Sequence, residues 1–121
     1  MKKTTAAENR ASVTDAFAEA WRCLQARAPN AAAMMCRRVI SNLAIACGAE
    51  PGTTTGPQLR WLKDRRVVNE GLFEAAHQVK AFGDEAAHPP DEVTMAEAEN
   101  AYRITERIVT YAFGRQGRIP R

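Results

Sequence analysis

The most informative segment of this sequence is NEGLFEAAHQVKAFGDEAAHPP, residues 69–90. It holds both histidines of the chain, two copies of the tetrapeptide Glu-Ala-Ala-His and a double proline. Its apolar and small residues recur every three or four positions, which is the spacing of one face of an α-helix. Asn69 is a preferred N-cap residue, and Pro89-Pro90 cannot continue a helix. The stretch therefore predicts one long helix that begins after Asn69 and ends at the prolines.

The same spacing predicts four more helices, which makes five in all, and helix three of the five is short. Helix one is expected to begin at Ser12-Val-Thr-Asp15 and to end at about Arg27, and Thr5-Ala-Ala-Glu8 is a possible earlier capping box. Helix two is expected to begin at Asn30 and to end at Gly48. Helix three should begin at Pro57, and helix five should extend from the capping box Thr94-Met-Ala-Glu97 to Gly114. Ala49–Gly56, between helices two and three, reads as a surface connector. We expect four long helices and one short connecting helix.

The fold class follows from these helices and from the composition. The chain has 121 residues, a length that suits one domain. Alanine is abundant and β-branched residues are scattered, which favours helix over strand. We expect an all-α, four- to five-helix bundle in residues 12–114. A flexible N-terminal segment, residues 1–11, is expected to precede it, and a basic C-terminal tail, residues 115–121, to follow it.

Charge and cysteine usage limit the class of protein. The formal net charge is +3, which permits contact with RNA or DNA without requiring it. The candidate nucleic-acid-binding residues are Arg37, Arg38, Arg60, Lys63, Arg65 and Arg66, with the basic ends of the chain. The three cysteines form no C-x-x-C pair, so we expect reduced core residues of a cytoplasmic protein. No apolar run is long enough for a bilayer, so no membrane contact is expected.

The doubled Glu-Ala-Ala-His raises the question of a metal site. Glu74-x-x-His77 and Glu85-x-x-His88 each match the pattern used in di-iron helix bundles. Those bundles carry the two motifs on different helices. Here they lie on one helix, eleven residues apart, which separates them by roughly 16 Å at helical rise. Two ions bridged at close range cannot be held that way, so we expect neither a metal nor another cofactor.

His88, at the end of the central helix, has two further interpretations. A histidine can transfer protons near neutral pH, and here Asp84, Glu85 and Lys80 lie on nearby turns to assist it. The candidate catalytic residues are therefore His88, Asp84 and Lys80. Alternatively, His88 caps the last carbonyl groups of the helix. Gly83 would then be a point where another helix packs closely.

The run Phe82-Gly-Asp-Glu-Ala-Ala-His88 resembles the G-N-x-A-A-H signature of DUF4145, a bacterial family of unknown function. Other segments fit the same order: Trp21-Arg-Cys-Leu24 ends an early helix, and Ala33-Met-Met-Cys-Arg-Arg-Val-Ile40 is similar to the family's Arg-Arg helix. The resemblance extends over about residues 13–113. It implies a helical bundle similar to the HEPN domains, which are often dimeric and occur in toxin–antitoxin, restriction and phage-defence systems.

Many HEPN proteins are metal-independent ribonucleases that use an Arg-x(4–6)-His motif across a dimer interface. By resemblance, His88 takes the position of the catalytic histidine and Asp84 that of the usual Asn or Asp. No arginine lies four to six residues before His88. The nearest preceding basic residue is Lys80, which is too far away for that spacing. Lysine lacks the planar fork with which arginine binds phosphate.

We therefore expect a non-enzymatic HEPN-like interaction or regulatory module. It is expected to form a homodimer through helix four and its neighbours, and to partner a bacterial defence, restriction or nucleic-acid-handling system. Two alternatives stay open. One is a ribonuclease with His88 as acid–base and Lys80, Arg37 or Arg38 on the phosphate. The other is a non-catalytic nucleic-acid-binding protein that uses the basic residues of helix three and the tails.

Overall fold

A computed structural model describes residues 5–114, except for the side chain of Ala6. These residues form five helices: α1 (Ala6–Gln25), α2 (Pro29–Ala46), α3 (Thr55–Asp64), α4 (Glu70–Ala87) and α5 (Met95–Gly114). No strand is present within residues 5–114. The prediction of an all-α helical bundle is confirmed. None of these helices combines the length and the apolar character needed to cross a bilayer.

Helix α2 is the central element of the bundle, because it packs against each of the other four helices. Its buried residues are Ala32, Ala33, Cys36, Val39, Ile40, Leu43 and Ala44. Burial raises the pKa of the Cys36 thiol to about 11, so this cysteine stays protonated at neutral pH. The short helix α3 contacts α2 and α4 alone, and the junction of these three helices holds the candidate site.

Local capping signals place the ends of two helices where the sequence predicts them. The side chain of Asn69 accepts a hydrogen bond from the main-chain N–H of Leu72 at 2.8 Å. Thr94 and Glu97 form the predicted capping box, in which each side chain accepts a hydrogen bond from the other residue's main-chain N–H. Gly48 follows α2 with a φ of +113°, a conformation that glycine adopts without strain.

The start of α1 differs from the prediction. The capping box of Thr5 and Glu8 is formed, so the helix begins at Ala6 rather than near Ser12. Residues 6–11, predicted to belong to a flexible segment, are its first turns. The helix begins at this earlier capping box because the side chains of Thr5 and Glu8 each accept a hydrogen bond from the other residue's main-chain N–H, which has no partner within the helix. Residues 1–4 and the predicted basic tail, residues 115–121, lie outside the described range.

Asn30 and Pro57 do not occupy the helix positions predicted for them. Asn30 does not cap α2, which begins one residue earlier with Pro29 at its first position. The Asn30 side chain instead accepts a hydrogen bond at 2.9 Å from the main-chain N–H of Val93, and so ties α2 to the segment before α5. Pro57 is the third residue of α3 rather than the first, because the helix begins at Thr55. Pro29 and Pro57 each lie in the first turn of their helix, where a proline removes no intrahelical hydrogen bond.

Candidate functional site

A pocket of about 940 Å³ opens where α2, the first turn of α3 and α4 meet. Its polar and charged lining includes Arg37, Arg38, Ser41 and Asn42 from α2, Thr53, Thr54, Thr55 and Gln58 from the α3 side, and Lys80, Asp84 and His88 from α4. Lys80 and Asp84 are four residues apart and share one face of α4, and His88, four positions further on, is the C-cap residue of that helix. The pocket thus brings together all three candidate catalytic residues and both arginines of α2.

Asp84 is the centre of an ion-pair cluster in this pocket. Nη1 of Arg37 donates a hydrogen bond to its Oδ1 at 2.6 Å, and Nζ of Lys80 donates to its Oδ2 at 2.9 Å. Burial alone would raise the pKa of Asp84, but the hydrogen bonds and positive charges of Lys80 and Arg37 outweigh it and hold that pKa below its ordinary value. Asp84 is therefore a charged acceptor for both cations and not a proton donor near neutral pH.

The absence of a side chain at Gly83 lets Arg37 reach Asp84. Gly83 is buried on the face of α4 that packs against α2. A Cβ built on Gly83 would lie 2.8 Å from Cβ and 2.9 Å from Cδ of Arg37, closer than such carbon atoms approach. The prediction that Gly83 marks a close helix contact is confirmed, and the approaching helix is α2 of the same chain.

His88 is the C-cap residue of α4, and its side chain returns to the helix end. Nδ1 lies 2.6 Å from the carbonyl oxygen of Asp84. Since a carbonyl oxygen only accepts, Nδ1 carries the proton in this contact, and a neutral ring then presents Nε2 as an acceptor. The ring is exposed, so Nε2 is open to solvent. His88 thus combines a helix-capping contact with one free ring nitrogen.

The second histidine of the doubled motif belongs to a different environment. The His77 ring packs edge-on against the Phe73 ring, with 4.8 Å between centroids, and lies outside the pocket. Within residues 5–114, no group of three or more His, Cys, Asp or Glu side chains is placed to hold a metal ion. Of the two Glu-Ala-Ala-His copies, the second alone contributes to the candidate site.

Residues 83–88, which include Asp84 and His88 of this site, also contain the run that resembles the DUF4145 signature. A family model described as a domain of unknown function, DUF4145, matches residues 18–120. The chain belongs to the DUF4145 family. Comparison with curated proteins and with solved structures gave no match.

The remaining predicted nucleic-acid-binding residues of this DUF4145 chain lie outside the pocket. Nζ of Lys63 is 3.3 Å from Oε2 of Glu70 and 4.6 Å from the centroid of the Phe73 ring. The guanidinium of Arg65 lies 3.9 Å above the Trp61 ring. Arg60 and Arg66 are exposed. Of the six predicted cations, the pocket therefore contains only Arg37 and Arg38, and two of the four from the α3 region have local contacts.

The pocket also includes residues that no sequence motif marks as functional. The end of the segment read as a surface connector, Thr53–Gly56, forms one wall of the pocket. Gln58 also lines it and is only 3% exposed. One signal was available: Gln58 precedes Leu62 by four positions, on the face of α3 that is otherwise apolar and buried. A polar side chain at such a position invites a search for its partner.

Proposed function

We propose that this protein is a non-enzymatic, HEPN-like interaction module that self-associates and serves a bacterial defence or nucleic-acid-handling system as a partner or regulatory subunit. Membership of DUF4145, a helical family similar to HEPN domains, and the five-helix bundle support this proposal. The observation that carries it is the state of the Asp84 cluster. Arg37 and Lys80 are both held by one carboxylate, and the Nδ1–H of His88 is held by the carbonyl group of the same residue.

Such a cluster favours a structural role over catalysis. Acid–base cleavage of a phosphodiester needs one group that accepts a proton and another that donates one. His88 is the only histidine in the pocket, and Asp84 is held in its charged form. The cluster instead ties α2 to α4 through a contact between residues 47 positions apart. Among the residues that line the pocket, positive charge is in excess, and His88 is the only histidine to transfer a proton.

The apolar surface for self-association lies on α1. Trp21 is 49% exposed, the most exposed large hydrophobic side chain among the described residues. Its ring packs against Tyr102 at 5.5 Å between centroids, and Phe17 stacks on Tyr102 at 4.8 Å. Exposed positions of α4 are mostly polar, and Gly83 of this helix packs against Arg37 of α2 in the same chain. We therefore place the self-association surface at Trp21 rather than on α4, because large aromatic side chains dominate the energetics of interfaces.

Replacing Trp21 by glutamate is expected to weaken the dimer by roughly thirtyfold, since burying a charge in place of an aromatic anchor removes at least ~2 kcal/mol of binding energy. The measurement is sedimentation equilibrium or light scattering over a concentration series. Ala81→Glu, at an exposed position of α4, adds the same charge and is the matched control. A wild-type protein that stays monomeric at its highest soluble concentration contradicts self-association. If Ala81→Glu dissociates the dimer and Trp21→Glu does not, the interface lies on α4 instead.

A metal-independent ribonuclease is the second candidate, and one observation favours it. The arginine that is missing before His88 in the sequence is supplied in space by α2. Arg37 meets Asp84 one helical turn before His88, in the same pocket as Lys80. Its guanidinium uses Nη1 on Asp84 and retains other N–H donors for a phosphate. In a dimer, a second copy of His88 would provide the second proton-transfer group.

Incubation of the protein with labelled RNA and a chelator separates the two candidates. If the ribonuclease is real, the wild type cleaves RNA, and His88→Ala loses at least about a hundredfold in rate, because general acid–base catalysis contributes that much. His77→Ala, which removes the histidine outside the pocket, should then retain full activity. The non-enzymatic proposal expects no cleavage above buffer by any of the three proteins. Cleavage that His88→Ala leaves unchanged marks a contaminating nuclease and rejects the second candidate.

A further inference from the structure

A groove of about 420 Å³ lies between the end of α1 and the first half of α5. It contains the surface at Trp21 to which self-association was assigned above. Its apolar side chains are Trp21, Leu24, Met95 and Tyr102, and its polar side chains are Gln25, Arg27, Glu99 and Arg103. Aromatic residues, methionine and arginine are enriched in protein–protein interfaces, which have an apolar centre and a polar rim. The groove therefore has the composition of an interface.

The charged side chains of this groove are available to a partner. Arg27, Glu99 and Arg103 are all exposed. None of the ion pairs formed within residues 5–114 involves any of the three, although Glu99 and Arg103 are four residues apart on α5. The groove thus presents unpaired charges of both signs beside an exposed tryptophan.

Arg27 is held in a backbone conformation that favours glycine. Its φ is +57°, in the left-handed region. The N–H of Arg27 bonds to the carbonyl oxygen of Leu24 and the N–H of Ala28 to that of Cys23, which is the Schellman motif that closes many helices. Glycine is the usual residue at this position because a side chain adds strain there. An arginine at such a position is a reason to look for a contact of its side chain.

Helices α1 and α5 run antiparallel along the groove. The guanidinium of Arg10 lies 5.2 Å from the centroid of the Phe113 ring, and the ring centroids of Trp21 and Tyr102 are 5.5 Å apart. From the first contact to the second, the chain advances eleven residues in α1 and goes back eleven residues in α5. The two helices therefore keep a constant register between these contacts.

This register places opposite charges on the two sides of the groove. Continued from Trp21, it puts Leu24 level with Glu99, and Arg27 lies about one helical turn beyond that level. A two-fold axis along the groove sets the α1 side of one copy opposite the α5 side of the other. Arg27 of each copy then faces Glu99 of the other, at an offset that the two long side chains can span.

We propose that this groove is a self-complementary interface, in which a second copy of the chain binds about a two-fold axis and Arg27 of each copy pairs with Glu99 of the other. The pairing rests on the proposed self-association and specifies its geometry. A second copy fits because each chain brings both members of the pair, and the symmetry forms the pair twice. Opposite charges that face each other across an interface fix its orientation and exclude other arrangements.

Reversing the two charges separately and then mixing the variants tests the pairing. Arg27→Glu and Glu99→Arg should each weaken the dimer by roughly tenfold, because like charges then face each other at both contacts. In an equimolar mixture the two variants should form a mixed dimer of wild-type affinity, since both contacts again join opposite charges. Glu74→Arg, an equal reversal at an exposed position of α4, is the control and should not restore association when mixed with Arg27→Glu. Sedimentation velocity over a concentration series measures each affinity.

Arg27→Gly separates the role of the side chain from that of the backbone. Arg66 also has a left-handed backbone, with a φ of +58°, and follows α3 outside the groove. At a dilution where the protein is monomeric, Arg27→Gly and Arg66→Gly should each raise the melting temperature by about 4 °C, because both relieve strain. Arg27→Gly alone should weaken the dimer, by about fivefold, because it removes two exposed ion pairs.

The outcomes separate this geometry from self-association itself. A wild-type protein that stays monomeric overturns both. A wild-type dimer that the mixture of Arg27→Glu and Glu99→Arg does not restore, or that Arg27→Gly leaves unchanged, overturns the pairing across the groove and leaves self-association standing.

Discussion

Replacement of Gly83 by valine is expected to lower the free energy of unfolding by about 3 kcal/mol, near the upper end of the usual cost of overpacking. The first added carbon alone would lie 2.8 Å from Cβ of Arg37, which is fixed to the backbone of α2 and cannot rotate away. The two further methyl groups of valine enlarge the clash, and α2 and α4 must separate to relieve it. Urea unfolding monitored by circular dichroism measures the change.

Gly83→Ala and Gly71→Ala form a matched pair on the same helix. Alanine favours helix over glycine by about 1 kcal/mol, so both changes gain the same intrinsic term. At Gly71 the nearest atom is Oδ1 of Asn69 at 3.6 Å, an ordinary contact, and stability should be unchanged or slightly higher. At Gly83 the clash should exceed the gain. The penalty should shrink in an Arg37→Ala background, which removes the contacting Cγ and Cδ atoms. Equal effects at the two glycines would contradict the close contact.

Asp84→Asn is expected to lower the free energy of unfolding by about 1 kcal/mol at neutral pH. The expected loss of stability is small because the Asp84 side chain is 40% exposed and solvent screens its two ion pairs. The substitution preserves the shape of the side chain but leaves Arg37 and Lys80 without their shared carboxylate. Glu74→Gln, which neutralises an exposed carboxylate of the same helix, is the control and should change stability by less than about 0.5 kcal/mol.

The pH dependence of stability gives a second readout for Asp84. Its pKa is lower in the folded protein than in the unfolded chain, so the unfolded chain binds more protons in the acid range and stability rises with pH there. The contribution is complete above the ordinary pKa of an aspartate, about 4, and is lost as the pH falls through the lower pKa of the folded state. The wild type should therefore lose more stability than Asp84→Asn below about pH 4. Parallel curves for the two proteins would show that the cations do not stabilise this carboxylate.

Boundary signals that act within one turn of helix were readable from the sequence. Asn69 and the box of Thr94 and Glu97 cap their helices as predicted, because an N-cap side chain meets an N–H only two or three residues ahead. Asn30 shows where local reasoning fails. Its side chain had an equally suitable local role, but it bonds to Val93, 63 residues along the chain. A preference worth about 1 kcal/mol is easily overridden by such a tertiary contact.

The helical class, the extent of the central helix and the special position of Gly83 could be predicted from the sequence, because helical periodicity, proline and glycine act through the local backbone. The contacts that residues 83–88 make depend on the tertiary structure. It placed Arg37 against Asp84 and brought the first turn of α3, with Gln58, to the same pocket. These contacts depend on the angle and separation at which α2, α3 and α4 pack, and no spacing along the chain specifies that geometry.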